Sequence, residues 1–301
     1  MSVLTLGSGE IAIAGGLISC SAGLSLALHM GIGRRLAWAA LRMSLQLLAV
    51  GYLLRLLFRS ENGLLVGLVM VVMLAAAAHE IGARQSGPRR WSEFLRNLLI
   101  LCISAAGVAL LGLTGLSRSG PVFDAQHVIP VFGIILGTAM NSAALTLHAL
   151  KSQIAGARNR IEAQLALGRD MGEATRDLSR SAIVSGTIPI INQMAGAGII
   201  TLPGIMSGQV LAGQDPTQAA IYQIFLMALL ALASVVCVAL TGWLFIRSIT
   251  DDRQRLVRGD VHPDELQHGH DERRGRCGDE RLQPGENERL DDRELHDVAS
   301  C

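Results

Sequence analysis

Gln46, Asn141, Asn192, Gln193 and Gln209 are amide side chains set inside otherwise apolar runs. An amide both donates and accepts, so in an apolar surrounding it must find partners or face a wet cavity. The chemistry open to these groups is non-covalent: they can bond one helix to its neighbour, or line a path for a polar solute. Thr138, Met140, Thr146 and His148 share the run of Asn141, and Met194, Thr201 and Met206 share that of Asn192, Gln193 and Gln209. On sequence, interhelical bonding and a lined path both stand open. His79, Glu80 and His148 are candidate metal ligands. A lone His-Glu pair at the end of an apolar run reads more often as an interfacial anchor, and Arg42 can snorkel or pair with Glu80.

Covalent chemistry finds less support. Nucleotide hydrolysis by a phosphate-binding loop needs a Gly-rich turn followed by Lys and Ser/Thr. The chain has one lysine, Lys151, and Leu150 precedes it. There is no G-x-S-x-G or H-E-x-x-H sequence and no carboxylate pair within an apolar run. The expectation is therefore a non-enzyme with no cofactor of its own, any ATP and Mg being bound by a partner. Of the cysteines, Cys20, Cys102 and Cys237 stand singly in apolar runs, and Cys277 and Cys301 lie near the C-terminus. None has metal-ligand or redox spacing.

The elements that must position these groups are read from hydropathy. Half of the 301 residues are apolar and 17% are charged, where a soluble domain has about a quarter charged. The charge is uneven: residues 251–301 hold 15 acids and 9 bases, leaving 10 acids and 17 bases in the first 250. A basic, apolar body (1–250) thus precedes an acidic tail (251–301), expected to be disordered or loosely helical. His262, His268, His270 and His296 in that tail read as solvated residues or as weak divalent-metal ligands.

A bilayer core asks for about 20 mostly apolar residues per helix. Seven runs qualify: 10–30, 37–58, 63–82, 94–115, 127–149, 183–211 and 218–246. The predicted fold is all-α, a polytopic membrane protein of about seven transmembrane helices. The first run, whose first charge is Glu10, lacks the basic start of a signal peptide and reads as a retained span. The sixth holds Pro189, Pro203 and five glycines, which predicts a kinked or broken helix. Basic residues crowd alternate connections: Arg34 and Arg35; Arg84, Arg89 and Arg90; Lys151 through Arg180; Arg247 and Arg253. The bias predicts an external N-terminus and a cytoplasmic C-terminus in a multi-pass protein of the bacterial inner membrane.

The polar stretch 151–182 interrupts the body, with Ile154, Ile161, Leu165 and Ala166 at helical spacing. It predicts an amphipathic cytoplasmic helix-turn-helix broken near Gly168 or Gly172. Within it, Glu162-Ala163-Gln164-Leu165-Ala166-Leu167-Gly168 resembles the E-A-A-x-x-x-G loop by which ABC-importer permeases dock onto their ATPase, with Gln164 replacing the second alanine. The resemblance implies a coupling role for Glu162, Ala163 and Gly168; the plain reading is a surface helix.

Two further stretches are similar to the FetB-type iron-export permeases. They are Arg42-Met43-Ser44-Leu45-Gln46 through Tyr52, and Ile191-Asn192-Gln193-Met194 through Leu202-Pro203-Gly204-Ile205-Met206-Ser207-Gly208-Gln209 to Gly213, followed by Asp215-Pro216 and Ala220-Ile221-Tyr222-Gln223-Ile224. The plant aluminium-resistance permeases share the pattern, which runs over 10–249. The resemblance implies the permease subunit of an ABC-type exporter, moving iron or another metal out through the inner membrane. It implies a separate ATP-binding subunit and, since two ATPases need two docking sites, a homodimer in the bilayer; no nucleic-acid partner is expected. The alternative is a stand-alone secondary transporter or channel for metal ions or a small polar solute.

Overall fold

The computed structural model describes residues 8–28, 33–60, 63–84, 91–116 and 125–249. The acidic tail and its histidines lie outside the described residues. Among the described residues the chain forms eleven α-helices: α1 (Ser8–Ala27), α2 (Gly33–Ser60), α3 (Gly63–Ala83), α4 (Trp91–Leu101), α5 (Gly107–Leu116), α6 (Ala125–Gly156), α7 (Arg158–Ala166), α8 (Met171–Ala174), α9 (Arg176–Gly196), α10 (Gly204–Leu211) and α11 (Pro216–Ile249). A π-turn, Cys102–Ala106, joins α4 to α5 in one continuous rod.

Five stretches are long and apolar enough to cross a membrane: Gly33–Arg55, Gly63–Ala83, Trp91–Thr114, Val128–Gly156 and Pro216–Ile249. They correspond to the second, third, fourth, fifth and seventh predicted runs. The first and sixth runs form α1 and the α9–α10 pair, which are not among the five. The sixth falls short for a physical reason: α9 opens on Arg176, Asp177 and Arg180, and its helix stops after Gly196. There Ile200 and Thr201 both donate backbone N–H to the Gly196 carbonyl, at 3.0 and 3.1 Å, with Gly198 at φ +84°. Pro203, which has no N–H to give, stands at the N-cap of α10. Pro189 sits inside α9 without ending it.

The connections carry their own signals. Asp215 Oδ1 accepts from the Thr217 and Gln218 amides at 2.9 and 3.0 Å, capping α11, whose first residue is Pro216. At the end of α7, the Arg169 and Gly168 amides bond the Gln164 and Leu165 carbonyls at 3.2 and 3.0 Å, with Gly168 at φ +85°. This pattern is a Schellman termination, which favours glycine because a Cβ crowds the left-handed backbone.

α6 is the axis of the bundle, with α9 and α11 packed along it and α3 and the α4–α5 rod beside it. Ala139, Ala143, Leu147 and Leu150 of α6 share one buried core with Leu230, Ala233 and Cys237 of α11. Small residues let the backbones approach closely, as membrane helices favour. At Gly186 of α9 a Cβ would overlap Thr146 Oγ1 and stand 2.9 Å from Val238 Cγ1 and 3.1 Å from the Ser142 carbonyl. The core hydroxyls are satisfied in place: Ser104 by the Ile100 carbonyl (2.7 Å), Thr146 by Ser142 (2.8 Å), Thr241 by Cys237 (2.7 Å), and Ser142 by Ser234 Oγ (3.2 Å). By contrast, the most apolar stretch of α2 buries nothing within the single chain.

Candidate functional site

Arg42 on α2 donates Nη2 to Glu80 Oε2 of α3 at 2.7 Å. One turn on, Arg84 Nε lies 3.6 Å from Glu80 Oε1, and Arg84 Nη1 donates to Asn141 Oδ1 of α6 at 3.1 Å. A single carboxylate and two guanidiniums therefore tie three helices. Charged groups on apolar helices are tolerated where each finds an opposite charge or an amide. Arg42 takes the pairing that its position allowed, and Gln46 follows it by one exposed turn.

Glu80, a candidate metal ligand by sequence, is thus occupied by two arginines. His79 beside it and His148 on α6 are exposed. Among the described residues, no group of three or more His, Cys, Asp or Glu side chains could hold a metal ion.

The candidate path amides fall into two sets. Asn141 is exposed on α6, and Asn192 and Gln193 are exposed near the end of α9. α6 and α9 are held together by Gln153 Nε2 donating to Ser181 Oγ at 3.3 Å and by the close approach at Gly186. Gln209 stands apart on α10, partly buried, with an Oε1 that accepts no hydrogen bond. Gln223 on α11 is buried to 7% exposure and its Oε1 is likewise unbonded. Sequence reasoning passed over Gln223 as a path residue. Gln223 stands in the sequence only within the block shared with the iron-export permeases; its own signal is an amide two turns into an otherwise apolar helix.

The 151–182 segment is helical, interrupted at Ala157, at 167–170 and at Thr175. α6 runs on to Gly156, then come α7, the Gly168 turn, α8 and the start of α9. Asp170 caps α8 by accepting the Glu173 amide at 2.6 Å. Ile161, Met171 and Ala174 are buried in the common core, so the inner face of this segment is clamped to the bundle. The outer face presents Glu162, Ala163 and Gly168, with Leu167 at 83% exposure. Glu162 accepts from Arg158 Nε at 2.9 Å, one helical turn away.

The Uncharacterised protein family (UPF0014) matches residues 9–250. The chain is 36% identical to the UPF0014 membrane protein slr1647 of Synechocystis over 80% of this chain and 93% of that protein. It is 27% identical to the Escherichia coli protein named "Probable iron export permease protein FetB", over 76% of this chain and 86% of the relative. It is 28% identical to the Arabidopsis thaliana protein ALUMINUM SENSITIVE 3, over 71% and 76%. No solved structure matches.

Proposed function

The chain belongs to the UPF0014 family, and on that premise we propose that it is the permease subunit of an ABC-type exporter. It moves iron or another metal across the bacterial cytoplasmic membrane, with ATP and Mg bound by a separate ATPase subunit. The reading takes α1 and the α9–α10 pair as the first and sixth of seven crossings. It puts the N-terminus outside and the C-terminus inside, with 1–250 the permease domain and 251–301 a cytoplasmic tail. The relative named as an iron export permease supports the substrate.

One observation carries the reading: the α7–α8 turn bears an exposed Glu162, Ala163, Leu167 and Gly168 outside, while Ile161, Met171 and Ala174 are locked into the core inside. Such a segment transmits a push as a rigid body. Because α7 and α8 directly join α6 to α9, movement of a docked ATPase tilts that helix pair and the amides Asn141, Asn192 and Gln193 that it carries. Co-purification with an ATPase encoded beside this chain tests the idea. Glu162→Ala and Gly168→Pro should each weaken association and the stimulated ATPase rate; if neither does, the coupling assignment is wrong. Intracellular content of several metals, with and without the gene, tests the substrate.

The break between α9 and α10 favours a second reading, a secondary transporter acting alone, since such proteins build sites from interrupted helices. Metal uptake by liposomes holding only this chain, without ATP, would establish it.

A further inference from the structure

Gln209 Oε1 on α10 and Gln223 Oε1 on α11 are buried and accept no hydrogen bond. Gln223 is 7% exposed, on the face of α11 that also buries Ala219 and Leu226. A buried acceptor without a donor is costly, and native structures leave few of them without a water or an ion.

Both oxygens belong to one helical hairpin. α10 packs on α11, and the Gln214 amide bonds the Gln209 carbonyl at 3.0 Å where the chain turns. Counting inward from the 212–215 connection, Gln223 is level with Gly204, the first residue of α10. Gln209 lies nearer the connection by about 7 Å along the axis. Side chains lean toward the N-terminus of their own helix. In an antiparallel pair Gln209 therefore leans toward Gly204 and Gln223 toward the connection, so the two amides lean toward each other.

The end of α9 comes close to the same level. Gly186 faces Val238 and Gly242 faces Ile183, an antiparallel register that carries Gly196 to the level of Ala228. That is about 7 Å from Gln223 along the axis. The negative end of the α9 dipole thus points at the hairpin. An anion would suit the start of α10, but not two inward oxygens.

We propose that an alkali cation, sodium or potassium, sits between α10 and α11, held by Oε1 of Gln209 and of Gln223, with backbone carbonyls and water completing its oxygen shell. Hard cations take oxygen ligands, and protein sites for calcium and magnesium draw on carboxylates. Asp215 is the one acid in 204–223, and its Oδ1 accepts the Thr217 and Gln218 amides. Neutral amide oxygens alone suit a singly charged ion, as rings of carbonyls do in potassium channels. Interrupted membrane helices hold ions in the same way. The ion staples α10 to α11 beside the break after Gly196. It is not the cargo, and the inference stands apart from the permease reading.

The test uses the full chain in lipid nanodiscs, melted in sodium, potassium or N-methylglucamine chloride at one ionic strength. Sodium or potassium should raise the melting temperature by about 5 °C, saturably, over N-methylglucamine. Magnesium and calcium chloride at the same ionic strength should not. Gln223→Leu and Gln209→Leu should each abolish the shift, while Gln214→Leu, at an exposed position of the connection, should keep it. Since the leucines replace unbonded acceptors, both variants should fold. Equal melting in all the salts, an equal shift with magnesium or calcium, or a shift that both Gln223→Leu and Gln209→Leu retain would each overturn the alkali site. Co-purification of the neighbouring ATPase tests the permease reading separately, and its failure leaves the ion site standing.

Discussion

The Arg42 guanidinium and the Glu80 carboxylate meet at 2.7 Å between α2 and α3, and Glu80 is shared with Arg84, whose other nitrogen holds Asn141. This pair is the polar attachment of α2, a helix whose most apolar stretch buries nothing within the chain. The side chains are half and three-quarters withdrawn from solvent, at 49% and 23% exposure, so the pair is neither a free surface contact nor a fully buried one. Glu80→Gln, Arg42→Met and the double variant form a thermodynamic cycle. Unfolding in lipid nanodiscs should give a coupling energy of roughly 1 kcal/mol. A coupling indistinguishable from zero would mean that the pair does not hold α2.

Gly186→Ala should destabilise the bundle, since the new Cβ overlaps Thr146 Oγ1 and presses on Val238 and the Ser142 carbonyl. Overpacking of this kind costs about 1–3 kcal/mol. Adding Thr146→Ala should recover part of the loss. Gly137→Ala, where a Cβ meets open space, is the matched control and should leave the melting temperature unchanged.

At Gly168 the backbone, not the space, is limiting: φ is +85° and nothing lies near a would-be Cβ. Glycine should therefore be best, asparagine next, alanine worse by about 1 kcal/mol and valine worst. Stimulated ATPase activity with the partner subunit, measured across the four residues, should follow the same order. Equal activity for glycine and valine would show that the turn does not govern coupling.

Asn141→Leu and Asn192→Leu should each reduce metal export without abolishing membrane insertion. Asn141→Leu also strips Arg84 of its acceptor, so it should lower stability as well, whereas Asn192→Leu should not. Normal export by both variants would move the path elsewhere.

Asp215→Ala removes the acceptor of two amides at the start of α11 and should cost about 1 kcal/mol. Hydrogen exchange at Thr217 and Gln218 should rise, with the middle of α11 unaffected. Protection unchanged at both amides would show that Pro216 and packing alone hold the helix start.

Much of the architecture is legible along the chain. The break in the sixth run is written in Gly196, Gly198 and Pro203, and the turn at 168 in its glycine, because backbone freedom is a property of single residues. The extension of α6 to Gly156 is not legible: Lys151 and Gln153 look like the end of a span, yet the helix continues beyond them. The π-turn at Cys102–Ala106 leaves no compositional trace either; it lies where the α4–α5 rod packs against α6 and α11.

The residues alone determined an apolar, basic body with an acidic tail, amides within apolar runs, and no resident phosphate-binding loop around the single Lys151. These are matters of composition and short-range order, which hydropathy and spacing report directly. Only the tertiary structure decided which partner each polar group takes. It gave Glu80 to two arginines, turned Asn141 outward beside Arg84, and buried the Gln223 carbonyl oxygen without a partner. The reason is physical: whether a side chain meets a neighbour or an open face depends on which helices pack beside it. That packing is set by small residues such as Gly186, far away in sequence from the groups they position.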